Sequence, residues 1–524
     1  MSTTPNVLPL PKKADTSEGF DARRRIADTH TPELVIALCG PLGTPLHRAA
    51  AILRDLLNRS HGYPKVDTIR LSEFIRKHKN LDDKAGIKEL IEAGNELRKK
   101  HGNSVLAQLA IKRINEARDS SEKKGPQEKQ AEMFEGRGDA IEPSPVVRHC
   151  HIIDSIKNDE ELGLLRSVYG DLLHLISVYT PITLRVNELK RRYPSTGDVY
   201  QLIDRDSGEE TTSGQTVRAV FPRADFFLRL DDGTDDQIRT NLERYLNLVM
   251  GSGVVTPTHA ERAMYAAHSA ARNSACLSRQ VGAAIADVDG GLLSVGWNDV
   301  PRAHGGLYES TSSTEPPQAD HRCWNKDGGK CFNDEEKTEI SSKLASVLQA
   351  EGIIEKEALD DVASRLRKSK ELSGLIEFSR AVHAELHALL NAGRSNGNRI
   401  QGSRLFVTTY PCHSCARHII AAGVSEVRYI EPYRKSLAIK LHSDAISEDE
   451  SDTGKVRILP FDGVSPTRYL KLFEEHSAGR KDPRTGRMIQ RRDSLPVTTD
   501  TLEAIATLEA LALKQLVSSG LMAT

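Results

Sequence analysis

The chain has 524 residues, which at about 150 residues per domain implies two to four domains and excludes a single small module. Its 72 Lys and Arg against 73 Asp and Glu leave a formal charge of −1, so no global positive field exists to hold a polyanion, and bulk nucleic-acid binding is not expected. Hydrophobic residues at 38% and charged residues at 28% permit ordinary buried cores and exclude a wholly disordered chain.

Residues 1 to 30, rich in Pro, Lys, Thr and Asp without an apolar period, read as a flexible tail. They hold no basic region followed by a sustained apolar segment, so no secretory signal is expected and the cytoplasm is the default compartment. The longest apolar runs, such as Leu34 to Leu42, fall short of the roughly 20 residues of a bilayer-spanning helix, so no membrane span is expected. Seven cysteines, an odd number spread thinly, argue against a disulfide framework and leave thiols free for metal or chemistry.

At Glu33 to Gly40 a buried-strand pattern appears, broken by Gly40, Pro41 and Gly43 and followed by the helical period of LHRAAAILRDLLNR. This strand, glycine turn and helix stand where a phosphate-binding loop would, with Gly40 and Gly43 as candidate nucleotide-binding residues. Pro45, Leu46 and His47 replace its usual second glycine, lysine and hydroxyl residue, so active phosphoryl transfer is not expected. Val66 to Ile69 is a second predicted strand, and Glu116 to Pro145 reads as a polar surface excursion. The strand VVRHCHIID ends in Asp154, which reads either as a magnesium- or nucleotide-facing acid or as a cap of the helix that follows. After SIKNDEELGLLRSVYG and the apolar run LLHLISVYTP, a predicted helix carries Arg185, Lys190, Arg191 and Arg192, either as a solvated face or as a phosphate-contacting lid. Alternating strands and helices predict a mainly parallel α/β sheet covered on both faces.

Residues 231 to 256 mark the junction to a second domain, which opens with the helix THAERAMYAAHSAARNSA and the strand region VGAAIADVDGGLLSVGWND, turning at Asp289 to Gly291. An insertion from Pro301 to about Ser379 offers His304, His321, Cys323 and Cys331, either as ligands of a second, structural zinc or as a reduced loop. The alternation then resumes: a helix from His383, the strand RLFVTTY, a helix from about His413, the strand VRYI. Beyond about residue 478 the chain is polar and basic until TLEAIATLEALALKQLV, an amphipathic helix that docks on the body or on another subunit.

The strongest chemical signal is His383-Ala384-Glu385 followed by Pro411-Cys412-His413-Ser414-Cys415. Two thiolates and one imidazole suit zinc, and three protein ligands leave the fourth tetrahedral position for water, the pattern of a catalytic site. The cysteines share one face at a helix start, His383 opens another helix, and both positive helix ends favour deprotonated sulfur. Glu385 is placed to take and deliver a proton. His-x-Glu with Pro-Cys-x-x-Cys is the signature of the zinc deaminases, in which zinc-bound hydroxide attacks C4 of a cytosine.

The segments SRQVGAAIAD, VGWNDVP, HAELHALLNAG and YPCHSCARHIIAAGVSEVRYI resemble those of deoxycytidylate deaminases, members of the cytidine deaminase-like superfamily, in order and spacing over roughly residues 255 to 440. With the N-terminal unit, the whole chain resembles bacterial anti-phage deoxycytidylate deaminases that deplete deoxycytidine nucleotides during infection. The resemblance implies a flexible tail at 1–30, a degenerate P-loop kinase-like parallel-sheet domain at 31–240, a zinc-dependent α/β/α deaminase domain at 255–478 and a C-terminal tail at 479–524. It implies zinc held by His383, Cys412 and Cys415, a proton shuttle at Glu385, and a nucleoside contact from Asn298, which otherwise reads as a turn residue. Arg279 stands near where the family handles phosphate, or in an exposed salt bridge. His387 stands where the family usually has Asn. The implied reaction converts dCMP or dCTP to the deoxyuridine nucleotide and ammonia in a homo-oligomer restrained by a nucleotide, an RNA or a protein inhibitor. A deaminase of RNA or single-stranded DNA would need stacking aromatics, and these are only 5% of residues. A regulatory protein with a vestigial site is disfavoured by the intact His, Glu and Cys set.

Overall fold

The computed structural model describes residues 30–82, 85–122, 148–193, 199, 202–203, 216–230, 235–310, 320–432, 436–475, 480–482, 484–488, 496 and 502–521. The predicted tail, apart from its last residue, lies outside them, as do residues 123–145 of the predicted polar excursion. Glu116 to Glu122 of that excursion instead continue a helix.

The first half alternates as expected. Strand β1 (Leu34–Cys39), buried at every position, is followed by α1 (Leu46–Ser60), β2 (Lys65–Arg70), α2 (Leu71–Lys79), α3 (Ile87–His101) and α4 (Val105–Glu122). Then come β3 (His149–Asp154), α5 (Asp159–Tyr169), β4 (Leu173–Tyr179), α6 (Ile182–Arg192), β5 (Phe226–Arg229) and α7 (Asp235–Met250). Helix α5 starts at Asp159 because the Asn158 side chain accepts from Glu160 N and Glu161 reaches back to the Asn158 amide, so Asp154 is not a helix cap.

The second half begins with α8 (His259–Ala271), capped by Thr258 and Glu261. The region predicted as one turning strand is the hairpin β6 (Gly282–Ala286) and β7 (Leu292–Trp297). The insertion contributes α9 (Phe332–Ala350) and α10 (Leu359–Lys368), before α11 (Ala384–Asn396), β8 (Arg404–Thr409), α12 (His413–Ala421) and β9 (Glu426–Glu431). The short strands β10 (Ile446–Ser447), β11 (Val456–Pro460) and β12 (Gly463–Val464) precede α13 (Leu502–Ser518).

The described residues form two sheets, ordered β12-β5-β4-β1-β3-β2 and β10-β11-β9-β8-β6-β7. The first is parallel except for β12; in the second, β6 runs antiparallel to both its neighbours. The strands β5 and β10 to β12 have no counterpart in the sequence reading. Through β12 the chain, after completing the second sheet, returns to the edge of the first. The amide of Val464 there donates to buried Glu261, which also binds Arg244 of α7 at 2.7 Å. Phe227 of the first sheet and Ala263, Met264, Ala284, Phe406 and Phe461 of the second half belong to one continuous apolar core. The two halves are thus fused across α8.

Small residues let the helices approach the second sheet closely. A methyl group on Gly296 of β7 would sit 2.3 Å from Ala388 N and 2.5 Å from Ala384 O, both backbone atoms of α11. Gly296→Ala is therefore expected to cost at least about 1–3 kcal/mol through overpacking, and to disturb the helix start at His383. Gly393→Ala on the same helix meets nothing within 4 Å and serves as the control, expected to stabilise by about 0.5–1 kcal/mol. Denaturant unfolding of the two variants tests this contrast.

Candidate metal centre and active site

Helices α11 and α12 both begin at the site, each with a ligand-type side chain at its N-cap. His383 caps α11 and Cys412 caps α12 in extended backbone, and the Cys412 sulfur accepts from the Cys415 amide at 3.4 Å. That local turn places both sulfurs on one side of the helix start. His383 Nδ1 lies 3.3 Å from the Cys412 Sγ and 3.3 Å from the Cys415 Sγ. Bond lengths of about 2.3 Å to sulfur and 2.0 Å to nitrogen at a tetrahedral ion put such ligand atoms roughly 3.5 Å apart. The three side chains therefore fit one zinc ion with little movement.

The protonation of the metal-free cluster is asymmetric. Hydrogen bonding from Cys415 holds the Cys412 thiol down near a pKa of about 4 against its burial, with His383 adding to the effect. His383 is pushed up to about 9, chiefly by its hydrogen bond with Cys412. Cys415 is raised well above its usual range by the neighbouring Cys412 and by burial. A thiolate and an imidazolium thus face each other, and a divalent cation would replace the protons on His383 and Cys415.

Glu385, in the first turn of α11, is buried beside this cluster. Burial raises its pKa, with the His383 charge opposing. A carboxyl group of raised proton affinity touching the metal ligands suits proton transfer. His387 serves the fold instead: its Nδ1 lies 3.2 Å from both the amide nitrogen and the carbonyl oxygen of Trp297, and its ring meets the Trp297 ring edge-on at 4.7 Å.

Asn298 is buried, and both ends of its amide are engaged. Its Oδ1 accepts from Val281 N at 2.7 Å and its Nδ2 donates to Arg279 O at 2.9 Å, so it pins the loop before β6. Arg279 makes an exposed salt bridge to Glu431 at 3.0 Å, with nearly half of its side chain exposed. Tyr410, next to the zinc-type loop, donates to Glu448 at 3.1 Å.

Among the described residues, the groups of ligand atoms lying within 4.8 Å of one another are His383, Cys412 and Cys415, and Glu33, His149 and His151. His304, His321, Cys323 and Cys331 do not form such a group. His304 takes a left-handed backbone, and His321 packs edge-on against Tyr308. Burial raises the Cys323 pKa, with the thiols of Cys276 and Cys331 adding to the effect and Arg380 opposing it. The SACLSR context of Cys276, close before the SRQVG segment, carried no spacing signal toward the insertion.

Residues 257–431 match the family model described as the cytidine and deoxycytidylate deaminase zinc-binding region. The chain carries a cytidine deaminase-like domain. The chain is 49% identical over 89 residues to the probable deoxycytidylate deaminase of Drosophila melanogaster, a match covering 17% of this chain and 36% of that protein. It is 40% identical over 99 residues to the mouse deoxycytidylate deaminase, covering 19% and 47%. It is 44% identical over 55 residues to the deoxycytidylate deaminase of Enterobacteria phage T2, covering 10% and 29%. The chain thus spans under half the length of each of these relatives. The dCMP deaminase of cyanophage S-TIM5, solved with dCMP and dUMP, aligns over 40% of this chain and 99% of its own at 21% identity and a TM-score of 0.23.

The glycine loop of the first half opens on a separate cleft of about 710 Å³ at the carboxyl ends of β1, β2 and β3. Gly40 and Gly43, Asp154, Arg70, Arg76, Lys157, Arg191 and Arg192 line it. Gly43 has φ +86°, and a methyl group there would meet Arg185 O at 2.7 Å, so the turn needs glycine. Arg185 is buried and donates to Leu42 O at 3.3 Å. The α6 cations are thus divided, with Arg185 bracing the loop while Arg191 and Arg192 face the cleft.

Proposed function

We propose that the chain deaminates free deoxycytidine nucleotides, dCMP or dCTP, to the deoxyuridine nucleotide and ammonia, and that this depletion serves defence against phage. The convergence of one imidazole nitrogen and two sulfurs at 3.3 Å beside a buried carboxyl group carries the reading. Zinc held by His383, Cys412 and Cys415 would supply the Lewis acidity that makes water a nucleophile at neutral pH. Glu385 takes a proton from the attacking water, delivers it to N3 as C4 becomes tetrahedral, and carries a second proton to the departing amino group. Cytosine and water give uracil and ammonia. Asn298 fixes the rim loop and retains one N–H and one lone pair for the nucleoside, and Arg279 can exchange Glu431 for a phosphate.

Incubation with dCMP, dCTP, CMP and cytosine-containing oligonucleotides, with released ammonia measured, tests this reading. Turnover of a deoxycytidine nucleotide is expected, and release from oligonucleotides alone would overturn it. Removing metal by chelation is expected to abolish ammonia release, and one equivalent of zinc to restore it. Asn298→Ala is expected to raise KM at least tenfold, since it frees the loop from Arg279 to Val281.

For the first half we infer a regulatory nucleotide site, supported by the basic cleft around Gly40, Gly43 and Asp154. Arg70→Ala/Arg192→Ala is expected to remove any nucleotide dependence of the rate while leaving the unregulated rate intact. An unchanged nucleotide response would sink this assignment.

A further inference from the structure

The second ligand-type cluster lies at the amino ends of β1 and β3, opposite the glycine-loop cleft, and shares no residue with the His383, Cys412 and Cys415 group. The parallel register pairs Leu34 with Cys150 and Val35 with His151, which brings Glu33, just before β1, level with His149. Alternate residues of a strand share a face, so His149 and His151 point together toward the core under α4. Their rings are 3.9 Å apart. One ligand atom each from Glu33, His149 and His151 lies within 4.8 Å of the others, and all three residues are buried.

His151 is completely buried, and neither of its ring nitrogens has a hydrogen-bond partner among the described residues. A buried polar group left without a partner costs about 1–3 kcal/mol, and an imidazole has two such atoms. His149 is held differently, with Nε2 at 2.8 Å from Asp67 Oδ2. A carboxylate on one nitrogen of a histidine fixes the ring and makes the other nitrogen a better ligand. Glu33 is held by Arg118 of α4 through two bonds of 2.8 Å, and the same guanidinium binds Glu509 of α13 at 2.7 Å. Burial and Lys65 lower the proton affinity of His149 against the carboxylates of Asp67 and Glu33, whereas burial and the neighbouring His149, Arg118 and Lys65 keep His151 neutral, the form in which an imidazole binds a metal.

We propose that Glu33, His149 and His151 form a second cation site, for a divalent transition metal, that ties β1 to β3 beneath α4 and α13. Two imidazoles and one carboxylate suit the borderline divalent ions, zinc, cobalt and iron among them, over calcium or magnesium. The role is structural, since all three ligand side chains are buried and leave substrate no way in. The site owes nothing to the deaminase reading, and its ligand set differs from the other centre in lacking sulfur.

That difference supplies the test. In the full chain carrying Cys412→Ser and Cys415→Ser, stripped by chelation and reloaded with Co²⁺, one equivalent is expected to remain. Its spectrum should lack the near-ultraviolet thiolate-to-cobalt charge-transfer band. Adding His151→Leu, or separately His149→Ala, should remove that equivalent, with folding confirmed by circular dichroism. No retained cobalt, cobalt that shows the thiolate band, or cobalt unaffected by either histidine substitution in a folded chain would each overturn the proposal. The first measurement needs no histidine variant to fold.

Discussion

Glu385→Gln is expected to lower the rate of ammonia release by at least about 10²–10⁴, the usual contribution of a positioned general acid and base, while the chain keeps its zinc. The amide preserves the volume of the side chain and its place in the first turn of α11, so a folding defect is not expected. It cannot accept a proton from water and pass it to N3 or to a leaving amine. The metal should stay because the three ligands converge through the helix starts at His383 and Cys412, with His383 Nδ1 3.3 Å from both sulfurs, and none of those contacts uses Glu385. Burial has already raised the carboxyl group's proton affinity, which adapts it to hold a proton part of the time. Metal analysis and ammonia assays on the same preparation decide the matter. Near-normal turnover would remove Glu385 from the chemistry, and loss of zinc from a folded variant would make it a structural prop.

Some of this was legible in the sequence because it is local. His383 and Glu385 lie in one helix start, Cys412 and Cys415 in another, and the spacing within each carries the geometry. The parallel sheet of the first half announced itself in runs such as LVIALC, apolar at every position because both faces are covered. What stayed hidden depends on contacts between distant segments. Glu33 meets His149 only through the register of β1 against β3, and Cys276 approaches Cys323 only once the insertion has folded back. The alternation His149-Cys150-His151 was visible, yet an i, i+2 pair of histidines says nothing until the strand's faces are assigned. β12 is two residues long and pairs across the chain, so no period reveals it. The boundaries at 240 and 478 describe composition better than packing. Val464 returns to the first sheet, and Leu516 of α13 lies in the core of the first half. Removing residues 1–235 would therefore strip both of their partners, and such a truncation is expected to be insoluble.

The same packing gives the largest expected effect on stability. Glu509, fully buried on α13, accepts from Arg118 at 2.7 and 3.0 Å and from the Tyr169 hydroxyl at 2.8 Å. Glu509→Ala leaves the Arg118 guanidinium with Glu33 as its remaining carboxylate, in a place with little water, and leaves the Tyr169 hydroxyl without its acceptor. Breaking one side of a buried ion pair costs about 3–5 kcal/mol, and the retained bidentate contact to Glu33 places this case near 3 kcal/mol. Glu509→Gln keeps an acceptor for Tyr169 and the shape of the side chain, so its cost should be smaller, although it loses the charge and one of the two acceptors for Arg118. Two halves with a shared core need not unfold in one step, so hydrogen exchange resolved by peptide is the better measurement. The amides of Leu502–Ser518 should lose protection first and most, followed by those of α4. The zinc-type loop, anchored in the second sheet, should keep its protection. If Glu509→Ala left the exchange of that helix unchanged, the Arg118 bridge would contribute nothing to docking, and apolar contacts such as Ile505 and Leu516 would hold the helix alone.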